Sequence, residues 1–401
     1  MNVFLQYGYG MMSLSKILCQ EWGGGTVILS PRDMNEKQML ALSQFLSHIN
    51  ATTLIDPQFY NPRANHHGLT KFNFWPNDYD TSLFWGTDQF ENKLELLFEL
   101  NQAVGTTHLI LPGLHASRAD EDFFSIHDSI IESASHFLAQ EKRIATICVS
   151  DTMLHDEDQL ERIINAAQQW SVGGYYIVPE YKTEDYLKED PVWLVNLINL
   201  CWGLKLHKRK VFVGYANHQL LCLALAKVDA IASGNWKNVR SFYSSKFDEP
   251  EEGSITRRVK WYYCAKALSE FKIPFLDQAQ RNGVLDTMRP ELEMNSYDAD
   301  VLFSGAAPSD TDYAEQQSFK HYLTALRYQA LKCSSFQTFD ETVQYQYQLL
   351  NEAKKMLTFL HHNGVRGQDR DFYDFVDVNL SAIDSIIKSR GLAMRMQWNN
   401  Y

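Results

Sequence analysis

The chain has 401 residues and a formal net charge of -12, long enough for one large barrel with an appendage or for two to three ordinary domains. That acidic balance excludes a surface coated in phosphate-binding charge, although it leaves room for a local basic groove. No apolar run approaches the ~18 residues of a membrane span and no signal-peptide pattern opens the sequence, so a cytoplasmic protein without a membrane partner is expected.

Apolar runs at 2–7, 26–29 and 51–55 predict three strands, separated by helices over 13–22 and 36–49, the second capped by Asp33 or Asn35. From 61 to 90 the periodicity fails. A loop of that length is usually functional or disordered, and Phe72, Phe74, Trp75, Tyr79, Phe84, Trp85 and Phe90 argue against disorder. The expectation is an aromatic excursion over 60–90 that walls a pocket at the mouth or packs on itself.

Alternation then resumes, with helices over 92–104, 120–140, 156–170 and 191–206 interleaved with strands at 108–111, 144–149, 175–178 and 211–213. Asn217 is placed to cap an apolar helix over 218–227, a strand over 228–232 follows, and Ser233-Gly234-Asn235-Trp236-Lys237-Asn238-Val239-Arg240 forms a small polar loop with two cations. Eight strands in βα alternation define an α/β chain folded as a (β/α)8 TIM-like barrel. An open doubly wound sheet would show a glycine-rich fingerprint in its first turn, which 8–16 does not match.

Beyond 242, the acidic turn at 248–253 marks a boundary, giving a barrel over 1–245 and a mainly helical region over 246–401, with helices at 254–271, 275–284, 315–333, 339–363 and 373–390. Val343, Tyr347, Leu350, Leu357 and Leu360 form an apolar stripe for packing on the barrel, a second copy or a protein partner. Six scattered cysteines carry no zinc-ligand spacing and read as reduced thiols. Neither a metal nor a cofactor is specified by any motif, and His361-His362 reads as a helix end.

Catalytic groups of a barrel come from the C-terminal ends of its strands. Asp56, Asp151 and Glu180 each follow an apolar strand, so they are expected to converge at one mouth, where crowded carboxylates suit acid/base work or an oxygen-ligated ion. Gly214, Asn217, Ser233, Gly234, Lys237 and Arg240 are expected to contact the ligand, the two cations holding phosphate.

Four of these segments carry a resemblance. Asp56-Pro57-Gln58-Phe59-Tyr60, the run VFVGYAN at 211–217 and KVDAIASGNWKNVR at 227–240 resemble the strand exits of the tRNA-guanine transglycosylase barrel and its relatives that insert 7-deazaguanines into DNA, and 176–180 is similar to the family's GLSVGE exit. The resemblance covers 1–242 and implies that Asp56 is the general acid/base. On this register the family's nucleophilic aspartate falls on Ala232, with Asp229 three positions earlier, and the CxCxxC zinc motif is absent.

Two functions follow as expectations. One is a transferase-type enzyme of nucleic-acid modification, acting on a nucleoside, nucleotide or base. In it Asp56, Asp229 and Glu180 are catalytic, Asp151 orients the ligand and Trp75 stacks on a base. The other is a noncatalytic recognition or scaffold subunit of a nucleic-acid modification or defence assembly.

Overall fold

The computed structural model describes all residues except 65, 77, 78, 80, 81, 183, 184 and 248–258, together with the side chains of 82 and 83. The acidic turn at 248–253 therefore lies outside the described residues.

Strands β1 (Asn2–Gln6), β2 (Gly25–Leu29), β3 (Ala51–Ile55), β4 (Leu109–Ile110), β5 (His115–Ala116), β6 (Arg143–Val149), β7 (Gly174–Pro179), β8 (Lys210–Val213) and β9 (Ala230–Ser233) form one parallel sheet in the order β3-β2-β1-β9-β8-β7-β6-β4, with β5 also on β6. Pro112-Gly113 divides β4 from β5, which together occupy one barrel position. The seam between β3 and β4 is drawn in by Thr107 N–H donating to Thr53 O (3.3 Å) and His115 N–H to Tyr60 O (3.0 Å). The result is a nearly closed (β/α)8 TIM-like barrel. All seven residues of β6 and all six of β7 are buried, as expected of parallel strands covered on both faces.

Helices α1 (Met11–Glu21), α2 (Glu36–Ser47), α3 (His67–Thr70), α4 (Asp88–Val104), α5 (Glu121–Ser135), α6 (Glu157–Ala167) and α7 (Pro191–Lys205) lie between the strands. Their ends follow local chemistry. Asn35 caps α2 in a reciprocal box with Gln38, satisfying two orphan N–H groups, and Gly105 at φ 74 closes α4. Asp190 caps α7, whose first residue is Pro191. That helix is apolar on nearly every face because it lies between the sheet and the C-terminal helices.

Past the barrel come the antiparallel pair β10 (Trp261–Cys264) and β11 (Ser269–Lys272), then α8 (Ile273–Arg281), α9 (Glu315–Cys333), α10 (Phe339–His362) and α11 (Tyr373–Gln397). The structure corrects the expected helix over 254–271 within its described part, which is a hairpin. Trp261, Tyr262 and Tyr263 suit a pleated, half-buried surface, and Leu268 in the left-handed region (φ 48) completes its turn. Val343, Leu350, Leu357 and Leu360 of the α10 stripe are buried within this chain. Gln346 beside them donates to Leu221 O (3.0 Å) in the connection between β8 and β9. That connection, 218–226, is a 3-10 run rather than an α-helix.

All six cysteines are buried and unpaired. Among the described residues no helix is long and apolar enough to cross a membrane.

Candidate ligand site at the barrel mouth

Asp56 follows β3 directly and is only 1% exposed. Its Oδ2 accepts from Tyr60 (2.8 Å), Tyr215 (2.9 Å) and Tyr176 (3.4 Å), while Oδ1 accepts from the Gln58 N–H (3.0 Å). Burial pushes its carboxyl pKa upward against the pull of these donors and of nearby Lys246. Tyr176 also donates to Gln6 Oε1 (3.0 Å), and Gln58, in the left-handed region at φ 60, is held by Ser30 (2.9 Å). A carboxyl caged by three phenols is suited to holding or exchanging a proton.

Gly214 makes the cage possible. A Cβ at that position would run into the ring and hydroxyl of Tyr176, so this glycine gives room to a neighbour rather than facing a ligand. Gly214→Ala is expected to cost about 1–3 kcal/mol of stability by overpacking, measurable in urea unfolding; an unchanged midpoint would show that Tyr176 has another place to go.

A short segment of the chain closes the mouth above Asp56. Phe242 and Phe247 pack on the Tyr60 ring at 4.9 and 5.1 Å. The Lys246 ammonium lies 3.6 Å from the centre of the Tyr215 ring and donates to Asn238 O (2.7 Å). Burial, with Arg32 nearby, lowers the pKa of Lys246. Ser244 donates to Glu180 Oε1 (2.8 Å), and His115 pairs with Glu180 Oε2 (2.8 Å). Burial would raise the Glu180 carboxyl, but its hydrogen bond and charge interaction with His115, with Ser244 behind them, outweigh that and hold it at about 2. Asp151 pairs with Lys188 (2.6 Å), and its N–H donates to Glu180 (3.2 Å). The exits of β3, β6 and β7 thus bring the three acids to one end of the barrel, each engaged by the chain itself.

The β9 exit forms one wall of an open cleft of about 770 Å³, within the usual range of ligand pockets. Lys237, Trp236 and Tyr243 line it from the barrel, Trp261 and Lys272 from the hairpin, and Phe319 and Arg370 from the helical region. Trp236 and Phe319 meet edge to face at 4.8 Å, and the Arg370 guanidinium lies 4.1 Å from the Trp261 ring centre. Gly234 is pressed between Gln6 O and Val239, leaving no room for a Cβ. Ser233 is buried at the end of β9. Asn217 accepts from the Gln219 N–H (2.9 Å) and donates to Tyr186 O (2.8 Å), so it fixes backbone.

Three further residues of the expected site, one catalytic and two ligand-binding, stand elsewhere than expected. Asp229 precedes β9, which starts two residues later than expected, and so stands at the strand's entry, at the opposite end of the barrel from the mouth. There it accepts from Lys205 (2.9 Å) and from the Val211 N–H (2.7 Å). Arg240 is 2% exposed and is held by Glu270 (3.2 Å), Gly234 O (2.8 Å) and the Tyr322 ring (3.4 Å), so it is spent on the fold. Trp75 is 1% exposed against Phe59 (5.1 Å), within a cluster of Phe72, Phe74, Trp85 and Phe90. The excursion's described aromatics pack on one another.

Sequence reading missed Tyr176 and Lys246 as partners of Asp56, and the whole far wall of the cleft. The alternation of β7 could have found Tyr176: Tyr175 points outward to Ala167 O (2.8 Å), so its neighbour points in. Nothing local in the sequence links Trp261, Phe319 and Arg370 to residue 237.

The fold and the mouth define a TIM-like barrel whose strand exits carry engaged acids beside an aromatic cleft lined by both cations and acids. No protein-family model matches the chain, and no curated protein matches it.

Proposed function

We propose that the chain is a transglycosylase-like barrel that binds a nucleotide or a base of a nucleic acid in the cleft beside β9, in the service of nucleic-acid modification. One observation carries this reading: partly exposed rings of Trp236, Tyr243, Trp261 and Phe319 share a cleft with Lys237 and Lys272, while Arg370 and Glu270 in the same lining pair with each other (2.8 Å) and Glu315 and Asp369 stand at its edge. Flat rings offer stacking to any base, worth about 1–3 kcal/mol each, and the cations suit its phosphate. Asp56 is the acid best suited to proton exchange with a bound base, and reaching it requires the 242–247 segment to move aside.

A second reading, a recognition or scaffold subunit that exchanges no base, is favoured by the buried Ala232 in the middle of β9 where the resembled family has its nucleophile.

Calorimetric titration of the full chain with nucleoside 5′-monophosphates and short single-stranded oligonucleotides tests the proposal. Heat is the preferred readout because only two of the nine tryptophans line the cleft. Binding is expected, and Trp236→Ala is expected to weaken it by about 1–3 kcal/mol with the thermal midpoint retained. Silence of the wild type, or equal binding by the variant, would overturn the proposal. Exchange of a labelled base in a bound polynucleotide would select the enzyme; binding without exchange would select the recognition subunit.

A further inference from the structure

The opposite end of the barrel carries a cavity of about 440 Å³, lined by Lys142, Lys205, Lys208, Arg209, Lys210 and His108. The side-chain acids in its lining are Glu141 and Asp229, and Asn400 and Tyr401 complete one edge. This excess of cations stands on a chain whose net charge is -12, so it is a local inversion of the protein's field.

Among the described residues the pairing pattern leaves most of that charge without a carboxylate. Lys205 is paired with Asp229 at 2.9 Å. Arg209 donates to neutral oxygens, those of Ala167 (2.9 Å), Gln168 (3.2 Å) and the Tyr175 hydroxyl (2.6 Å). Lys142 donates to Thr107 O (3.3 Å). The Lys210 ammonium lies 3.3 Å from His108 Nε2, an approach that requires a neutral imidazole. His108 meets that requirement: burial, then Lys210 and Lys142, lower its pKa to about 4. Lys208 and Lys210 are exposed at the rim.

The arrangement follows from the sequence. Lys205, Lys208, Arg209 and Lys210 span the end of α7 and the start of β8, so one α-to-β turn delivers four cations to the base of the barrel. Part of that density suits the helix C-terminus. The dipole does not account for Lys142, which comes from the turn before β6 and faces the same cavity.

We propose that this basic cavity at the base of the barrel binds an anion carrying two or more phosphate groups. With Lys205 committed to Asp229, the remaining cations outnumber Glu141, and a single phosphate would leave charge unmatched. Two sources share that chemistry, a free polyphosphate ester and successive phosphates of a polynucleotide. The site is independent of the cleft at the mouth, and a ligand without a base should still occupy it.

The test titrates the full chain with inorganic tripolyphosphate and, separately, with a fluorescent single-stranded oligonucleotide across a salt series. The same titrations are run on the double variant Lys208→Glu with Lys210→Glu, whose two exposed positions leave the core untouched. Binding that the variant weakens about tenfold or more supports the site. For the oligonucleotide, the logarithmic salt dependence should also fall by about 1.4, two contacts at ~0.7 each. Tripolyphosphate binding in this pattern identifies a free anion as sufficient; oligonucleotide binding alone in this pattern identifies the backbone. If neither probe binds the wild type, or the variant binds both as the wild type does, the proposal is overturned.

Discussion

Asp56→Ala is expected to destabilise the protein by about 3–5 kcal/mol in urea unfolding at neutral pH. The substitution leaves the Tyr60 and Tyr215 hydroxyls and the Gln58 N–H without their acceptor in a buried site, and each such orphan costs about 1–3 kcal/mol. Relief from burying an acid offsets part of that. Asp56→Asn keeps an acceptor oxygen and should lose about 1–2 kcal/mol. It is therefore the variant in which to look for lost chemistry without a lost fold. An alanine variant as stable as the wild type would mean that the phenol cage contributes nothing to folding.

Glu270→Ala should cost a comparable amount, about 3–5 kcal/mol, because it strips the counter-charge from a buried site. Arg240 (3.2 Å) and Arg370 (2.8 Å) both pair with Glu270, and Tyr186 donates to it (2.6 Å). Burial by itself would raise the Glu270 carboxyl, but Arg370 and Arg240 outweigh burial and hold it at about 2.

The sign of the pH dependence follows. A carboxyl depressed in the fold contributes stability that is full above its unfolded value, near 4.5, and lost as pH falls toward 2. Glu180, also held at about 2, adds to the same loss. Asp56 works in the opposite sense, since its raised carboxyl takes up a proton more readily in the folded state. Unfolding free energy should therefore fall between about pH 5 and pH 2 in the wild type, and fall less steeply in Glu270→Gln. Equal slopes would remove Glu270 from the account. The network also couples parts of the chain, since Arg240 follows β9, Glu270 lies on β11 and Arg370 precedes α11.

The barrel was legible because parallel strands covered on both faces write themselves as short apolar runs, and caps such as Asn35 and Asp190 mark where helices begin. The excursion over 60–90 was legible as folded from its aromatic density, with a pocket wall and self-packing left as alternatives. Composition does not say whether a ring such as Trp75 faces a cavity or another ring. Asp229 stands at the entry of β9 whether the strand starts at 228 or at 230, so strand direction alone places it at the base of the barrel; only its nearness to the resembled nucleophile position brought it into the candidate site. Arg240 looked like a phosphate ligand because its partner, Glu270, lies thirty positions away on a strand that was read as helix. Asp56 was found from its place after β3, whereas the cage around it comes from residues 60, 176 and 215, brought together only by closure of the barrel.

The structure of the full chain with a bound nucleoside 5′-monophosphate tests the central claim most directly. The base is predicted to stack among Trp236, Trp261 and Phe319, with its phosphate within hydrogen-bonding reach of Lys237 or Lys272. A nucleotide bound only at the base of the barrel beside Lys208 and Lys210, or a cleft left empty at saturating ligand, would contradict it.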